Sequence, residues 1–560
     1  MKKAFYFIGI CGLALMMGAC NGKSGDDVST TKPVITTSVK NVDQTRIMEV
    51  ADQTMEIEVV IEVQSGTVTE ALTPVLKVDE SAVAIYNAAH PDAEAIILPA
   101  TAYNLEERAF AIASGGKQSA TTLTLVNNGL EQNKLYVVPV TIDKMEGSSN
   151  WKLAENPQSF VTVKYVLSTQ NGSAENPYLL VSAANMDSMY GKMKAGEKVY
   201  FKLMADIDMT DADEWRPLNY ATPYDKGIDF NGNGHKISNF KCEYPTYASF
   251  FGVLYGSCYN VTFENATIGC SANSGCGILG GYLGSGDFVG EVRNCHVQGK
   301  VYFTGDKTGI GGMFGVIGNG TITASSADVD VYSTKNYVGG LVGYSKKGVI
   351  RDCWAAGSVR GDQRVGGIIG GFIGSGDSIY NSYFIGELYA TTEGGEKDYA
   401  AARCVGGIVG HANLDNKGGT ADIATPKNVV SGCIAWMDEL KTRSQHYGLT
   451  PDKDEVGYYS SGAIVAFGAS HNTYENCYRK ADLAFLDYCD DIQLYDQENS
   501  TPSNEMQYQY PEIEGSAKWK YNFPYHGKAA AAGQTLTQVA QSLSWSADVW
   551  DFSGDVPTLK

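Results

Sequence analysis

Residues 338–343 read Val338-Gly339-Gly340-Leu341-Val342-Gly343, and ten positions beyond Gly340 comes Ile350-Arg351-Asp352-Cys353-Trp354-Ala355. The Gly-Gly-apolar-apolar-Gly phrase returns at residues 311–315, 366–370 and 406–410, with degenerate copies at Gly280-Gly281 and Ser461-Gly462-Ala463-Ile464-Val465. The second phrase returns as Val292-Arg293-Asn294-Cys295-His296, Ile379-Tyr380-Asn381-Ser382-Tyr383, Val430-Ser431-Gly432-Cys433-Ile434 and Tyr474-Glu475-Asn476-Cys477-Tyr478. Counted on the second glycine, the copies at 281, 312, 340, 367, 407 and 462 are 31, 28, 27, 40 and 55 residues apart. A near-constant period with lengthened later copies predicts a solenoid with loops inserted into single coils. Two short apolar runs per period, punctuated by Gly and Asn, suit β-coils better than helices.

The phase of the second phrase assigns directions. If Val292 and Ile350 face the core and Asn or Asp turns the chain, then Cys295, Cys353, Ser382, Cys433 and Cys477 point inward as small core residues. The next position then points outward, giving a column of His296, Ser326, Trp354, Tyr383, Ile434 and Tyr478 on rungs about 4.8 Å apart. Aromatic rings so placed can stack on the C–H faces of sugars, so His296, Trp354, Tyr383 and Tyr478 are the candidate ligand-binding residues.

Upstream, residues 32–168 alternate apolar and polar positions, as in Met55-Glu56-Ile57-Glu58-Val59-Val60-Ile61-Glu62-Val63 and Leu135-Tyr136-Val137-Val138-Pro139-Val140-Thr141-Ile142. Period-two runs broken by clusters such as Asn127-Asn128-Gly129 predict an Ig-like β-sandwich. Still earlier, Lys2 and Lys3 precede a short apolar run over residues 4–17, too short to span a bilayer comfortably, which reads as an export signal. Met17-Gly18-Ala19-Cys20 resembles a bacterial lipobox. That resemblance implies removal of residues 1–19 and lipidation of Cys20, with residues 20–31 as a tether; acyl chains worth about 0.8 kcal/mol per buried CH₂ would then form the only membrane anchor.

Net charge is −20, a field that repels nucleic acid and anionic membrane. Of 12 cysteines, ten remain beyond Cys20, all between 242 and 489. An exported chain could pair them, but their recurrence at one repeat position argues for buried thiols instead.

Two resemblances follow. The stretch with Ile97-Leu98-Pro99, Tyr103, Gly115-Gly116 and the strand over residues 136–140 resembles an N-terminal domain of unknown function in Bacteroidetes surface lipoproteins, including glycan-binding proteins and some endoglycosidases. Residues 169–560 resemble the GLUG-repeat group, both in the two phrases and in the opening Asn176-Pro177-Tyr178-Leu179-Leu180 and closing Trp550-Asp551-Phe552. The second resemblance implies a right-handed parallel β-helix or related solenoid, whose atypical ends would cap open sheet edges.

Catalysis has little to rest on. Asp490-Asp491 is the one adjacent pair tempting for glycoside hydrolysis, and it lies outside the repeats. Asp206, Asp208, Asp211, Asp213 and Glu214 could suggest a calcium cage for a lyase, but their phrase suggests strands and turns. His235, His296, His411 and His471 lack metal spacing, and the Gly-Gly pairs are backbone devices, not phosphate cradles. The sequence reading is therefore an all-β, lipid-anchored protein of the outer membrane, facing outward. It needs no cofactor, metal or catalytic residue, and its expected partner is an extracellular glycan or host glycoconjugate. An adhesin, or a structural partner of outer-membrane transporter lipoproteins, is the alternative; a polysaccharide lyase or glycoside hydrolase on the β-helix is a further one.

Overall fold

Alternation becomes sheet faces in the N-terminal unit. In the computed structural model, the described residues are 32–39, 45–51, 53–166, 170–193, 197–219, 227–270, 275–305, 308–390, 403–412, 428–442, 459–468, 472–487 and 525–560. Strands Thr54–Ser65 and Leu135–Glu146 are the longest of two five-stranded sheets. The first sheet turns Ile57, Val59 and Ile61 inward, and the second contributes Val138, Val140, Val161 and Val163 to the same core. Such facing apolar rows bury one side of each sheet and leave the other to solvent. A helix over Val83–Ala89 interrupts the sandwich, so the chain is nearly all β rather than purely so.

The repeats build a β-solenoid of about six turns. Its strands form three stacks of 21, seven and five members. The seven-membered stack shows how the glycines act. Strands Phe314–Ile317, Val342–Ser345 and Ile369–Phe372 pair in parallel, one per coil. A Cβ on Gly339 would lie 1.9 Å from the Val342 carbonyl oxygen, and one on Gly340 would lie 2.3 Å from that of Gly367. On Gly343 it would meet the Ile310 nitrogen of the neighbouring coil at 2.3 Å. Gly366, Gly367 and Gly370 repeat the crowding. Each glycine of the phrase is thus required by close backbone approach.

The second phrase behaves as its phase predicts. Asn260, Asn294, Ala324, Asp352, Asn381, Gly432 and Asn476 all take a left-handed backbone, φ from +45° to +67°. These form the turn column, favoured by Asn and Gly. One asparagine bonds the next where Asn294 Nδ2 donates to Asn260 Oδ1 at 3.0 Å. Immediately after, Cys295, Cys353, Ser382, Cys433 and Cys477 are buried in the coil interior. Cys242, Cys258, Cys276 and Cys404 are buried as well. Ser382 Oγ accepts from the Cys353 N–H at 3.1 Å and donates to the Tyr380 carbonyl at 2.8 Å, and Ser325 Oγ does the same with the Cys295 N–H and the Thr323 carbonyl, so a hydroxyl satisfies itself locally at a position that four other coils fill with a thiol.

Candidate functional site

The column after the cysteines is in register from rung to rung: His296, Ser326, Trp354, Tyr383, Ile434 and Tyr478 pair in that order. It points outward, yet over most of its length it is not open to solvent. Trp354 and Tyr383 stack with centroids 5.9 Å apart and planes 8° from parallel. Over them lies the end of the chain. Tyr525 bridges Val465, and strand Lys528–Ala529 joins the last coil beside Tyr478. Residues 530–560 then fold back across the outer face. Helix Leu536–Ser542 starts with a capping box between Thr535 and Gln538 and buries Leu536, Val539 and Ala540 against Tyr383 and Ile434 in one apolar cluster. Trp545 and Trp550 complete the roof, at 6.3 and 5.8 Å from the Tyr383 ring. Tyr383 Oη donates to the Pro557 carbonyl at 2.9 Å, and Trp545 Nε1 to that of Gly432 at 3.1 Å.

Tyr383 is consequently 2% exposed, and Trp354 and Tyr478 are half-buried at the edge of the same cluster. The expected exposure of these three rings is therefore corrected: their apolar faces are spent on the chain's own C-terminal segment, which the sequence reading took only as an end cap. His296 lies outside that cluster and is half-buried, its Nδ1 2.8 Å from Ser326 Oγ; burial pushes its pKa down.

An open aromatic column exists six residues farther along the same strands. Tyr302, Tyr332, Arg360 and Tyr389 occupy successive rungs. Tyr302 is 54% exposed, and its ring stacks on Tyr332 at 4.9 Å with planes 10° apart. The Arg360 guanidinium lies 5.1 Å from the Tyr389 centroid, while its Nε donates to Ser358 Oγ at 3.1 Å. Two residues back along each strand lie Lys300, Asp330, Ser358 and Glu387: Lys300 pairs with Asp330 and Ser358 with Glu387, and the Ser358 N–H donates to Asp330 Oδ1 at 3.1 Å. Flat rings beside fixed hydrogen-bonding groups can hold a polar ligand with one apolar face. The signal was present in the sequence: extending the outward phase by three more alternations reaches these residues, past the kink at Gly299, Gly357 and Gly386.

Asp206 accepts from His235 Nδ1 and the Lys236 N–H, both at 3.0 Å. Asp208 accepts from the Thr210 N–H at 2.9 Å and Asn239 Nδ2 at 2.8 Å, and these bonds pull its pKa down. Both carboxylates serve turns. Asp213 and Glu214 line a cavity of about 290 Å³ with Lys241 and Glu243. Cys20, His471, Asp490 and Asp491 lie outside the described residues.

Comparison with known proteins places a family model for an N-terminal domain on residues 29–149. This is the coarse form of the resemblance drawn from Ile97-Leu98-Pro99 and Tyr136. Halomucin of Haloquadratum walsbyi is 27% identical over 202 residues, 31% of this chain; the chain spans 2% of that relative's length. A Bacteroides ovatus crystal structure, provisionally named an immunoglobulin A1 protease, is 27% identical and covers 70% of this chain and 94% of its own, with a TM-score of 0.45. Another B. ovatus structure, provisionally named a carbohydrate-binding protein, is 16% identical over 25% of this chain and 38% of its own, with a TM-score of 0.20.

Proposed function

We propose that this chain binds a polysaccharide or glycoconjugate outside the cytoplasm, without cleaving it, through the Tyr302–Tyr332–Arg360–Tyr389 face. The observation that carries the reading is the stacked, parallel Tyr302–Tyr332 pair, in which Tyr302 is exposed and Tyr332 half-buried. Parallel strands hold its rings one rung apart, so the platform is organised before a ligand arrives and little ordering entropy is lost on binding. Arg360, Ser358 and Asp330 supply donors and acceptors at its side. In the same proposal the repeats are of the GLUG type, Cys20 carries the lipid, and the solenoid faces outward from the outer membrane. Acidic net charge favours neutral glycans over polyanions.

Affinity electrophoresis of the full chain through gels containing neutral polysaccharides tests the reading. Retardation by at least one polysaccharide, lost in Tyr302→Ala/Tyr332→Ala, is expected. Retardation unchanged in that variant would remove this face from the binding site.

A further inference from the structure

A second array sits at the corner between the five- and seven-membered stacks, four and five residues beyond Arg360 and Tyr332 along the chain. In the column before Ile310, Val338 and Val365, successive coils place Gly309, Tyr337 and Arg364. All three have left-handed backbones, with φ of +93°, +59° and +54°. Gly309 takes that conformation without steric cost; a tyrosine and an arginine do not. Elsewhere on the solenoid such positions mostly hold Asn, Asp or Gly. Strained backbone under bulky side chains persists where something else requires those side chains.

What the two residues assemble is specific. The Arg364 guanidinium carbon lies 4.7 Å over the Tyr337 ring, and its Nε is buried with no hydrogen-bond partner among the described residues. Tyr337 tilts on Tyr344 at 5.4 Å and meets His411 edge-on at 6.2 Å. The Tyr344 and Tyr282 hydroxyls are 3.4 Å apart. Burial, with Arg364 nearby, drives the His411 pKa well down, so the imidazole is neutral and Arg364 is the cation of the group. Tyr282, Tyr337 and Arg364 remain half-exposed.

We propose that this corner is a separate binding site for a carboxylated sugar, a uronate or a sialate. Arg364 takes the carboxylate through its planar fork, the Tyr337 ring borders the sugar's C–H face, and the Tyr282 hydroxyl, set against that of the buried Tyr344, meets the sugar's hydroxyls. Local recognition of one carboxylate survives the chain's overall negative charge, which salt screens within about 8 Å at physiological ionic strength.

Isothermal titration of the full chain with trigalacturonate, its methyl ester and 3′-sialyllactose tests the assignment. At least one of the two acids should bind, and the ester should bind at least tenfold more weakly than trigalacturonate if that is the acid bound. Arg364→Lys, which keeps charge and stem, should lose tenfold or more; Arg364→Gly should lose binding while its melting temperature holds or rises, because glycine relieves the left-handed backbone. Tyr302→Ala/Tyr332→Ala should bind the acid as the parent does, which separates this site from the neutral-glycan face. Failure of the parent chain to bind either acid, or undiminished binding by Arg364→Lys, overturns the proposal.

Discussion

Trp354–Tyr383 and Tyr302–Tyr332 are both stacked pairs on outward positions of one sheet: the first lies on strands Trp354–Gly361 and Tyr383–Ala390, the second on the preceding coils' strands Gly290–Phe303 and Ser326–Ser333, in the column six residues farther along. One is roofed by residues 530–560, and the other faces solvent. The difference teaches that repeat phase fixes which way a side chain points, whereas exposure depends on what else the chain lays over it. The roofed pair holds the end of the solenoid together; the open pair is free to meet a ligand.

Breaking the roof should have the largest effect. Trp550 is fully buried against Tyr383, and a buried Trp→Ala change costs about 3–5 kcal/mol. Trp550→Ala should therefore lower the urea midpoint and expose Tyr383, whereas Tyr302→Ala should stay within about 0.5 kcal/mol of the parent. Equal stability of the two variants would erase the distinction between the columns.

A charge inside the coil gives the next effect. Asp377 Oδ1 accepts from the Gly348 N–H at 2.6 Å and from Ser345 Oγ at 2.5 Å, while Oδ2 is buried without a partner among the described residues. Burial pushes this carboxyl up to about 6, against about 3.9 for an unfolded aspartate. Between those values the folded chain keeps a proton that the unfolded chain has released. Stability contributed here is full below about pH 4, falls as pH rises to about 6 and stays lower above it, by up to about 3 kcal/mol. Denaturation of Asp377→Asn across pH 4–7 should show that slope removed; an unchanged slope would assign it to other groups.

The smallest effect sharpens the turn column. Ala324 holds φ +45° between the coils of Asn294 and Asp352, where a residue with a plain Cβ pays about 1–2 kcal/mol. Ala324→Asn should raise stability by about 1 kcal/mol, read by thermal melts. A loss instead would mean that the asparagine side chain has no room in the ladder.

Much of this was legible beforehand. Gly339-Gly340 and Asp352-Cys353 recur at solenoid spacing because each coil repeats the same close contacts, so a local pattern carries a local constraint. Alternation over Met55 to Val63 worked for the same reason in the sandwich. The roof was not legible, because the bond from Tyr383 to Pro557 joins residues 174 apart in sequence, and no periodicity encodes such a pairing. Trp545, Trp550 and Phe552 were a signal of sorts: that much aromatic surface after the last repeat had to be buried somewhere. Similarly, Asp79, whose carboxylate accepts from the Ser81 N–H at 3.1 Å, marks the helical turn leading into Val83–Ala89, a start signal that the strand-dominated reading passed over.

The contrast between the two columns is tested most directly by nitrating the folded chain with tetranitromethane and locating the modified tyrosines by mass spectrometry. Tyr302 should react early and Tyr383 should stay protected until the protein is denatured. Nitration of Tyr383 in the folded chain at the rate of Tyr302 would contradict the account.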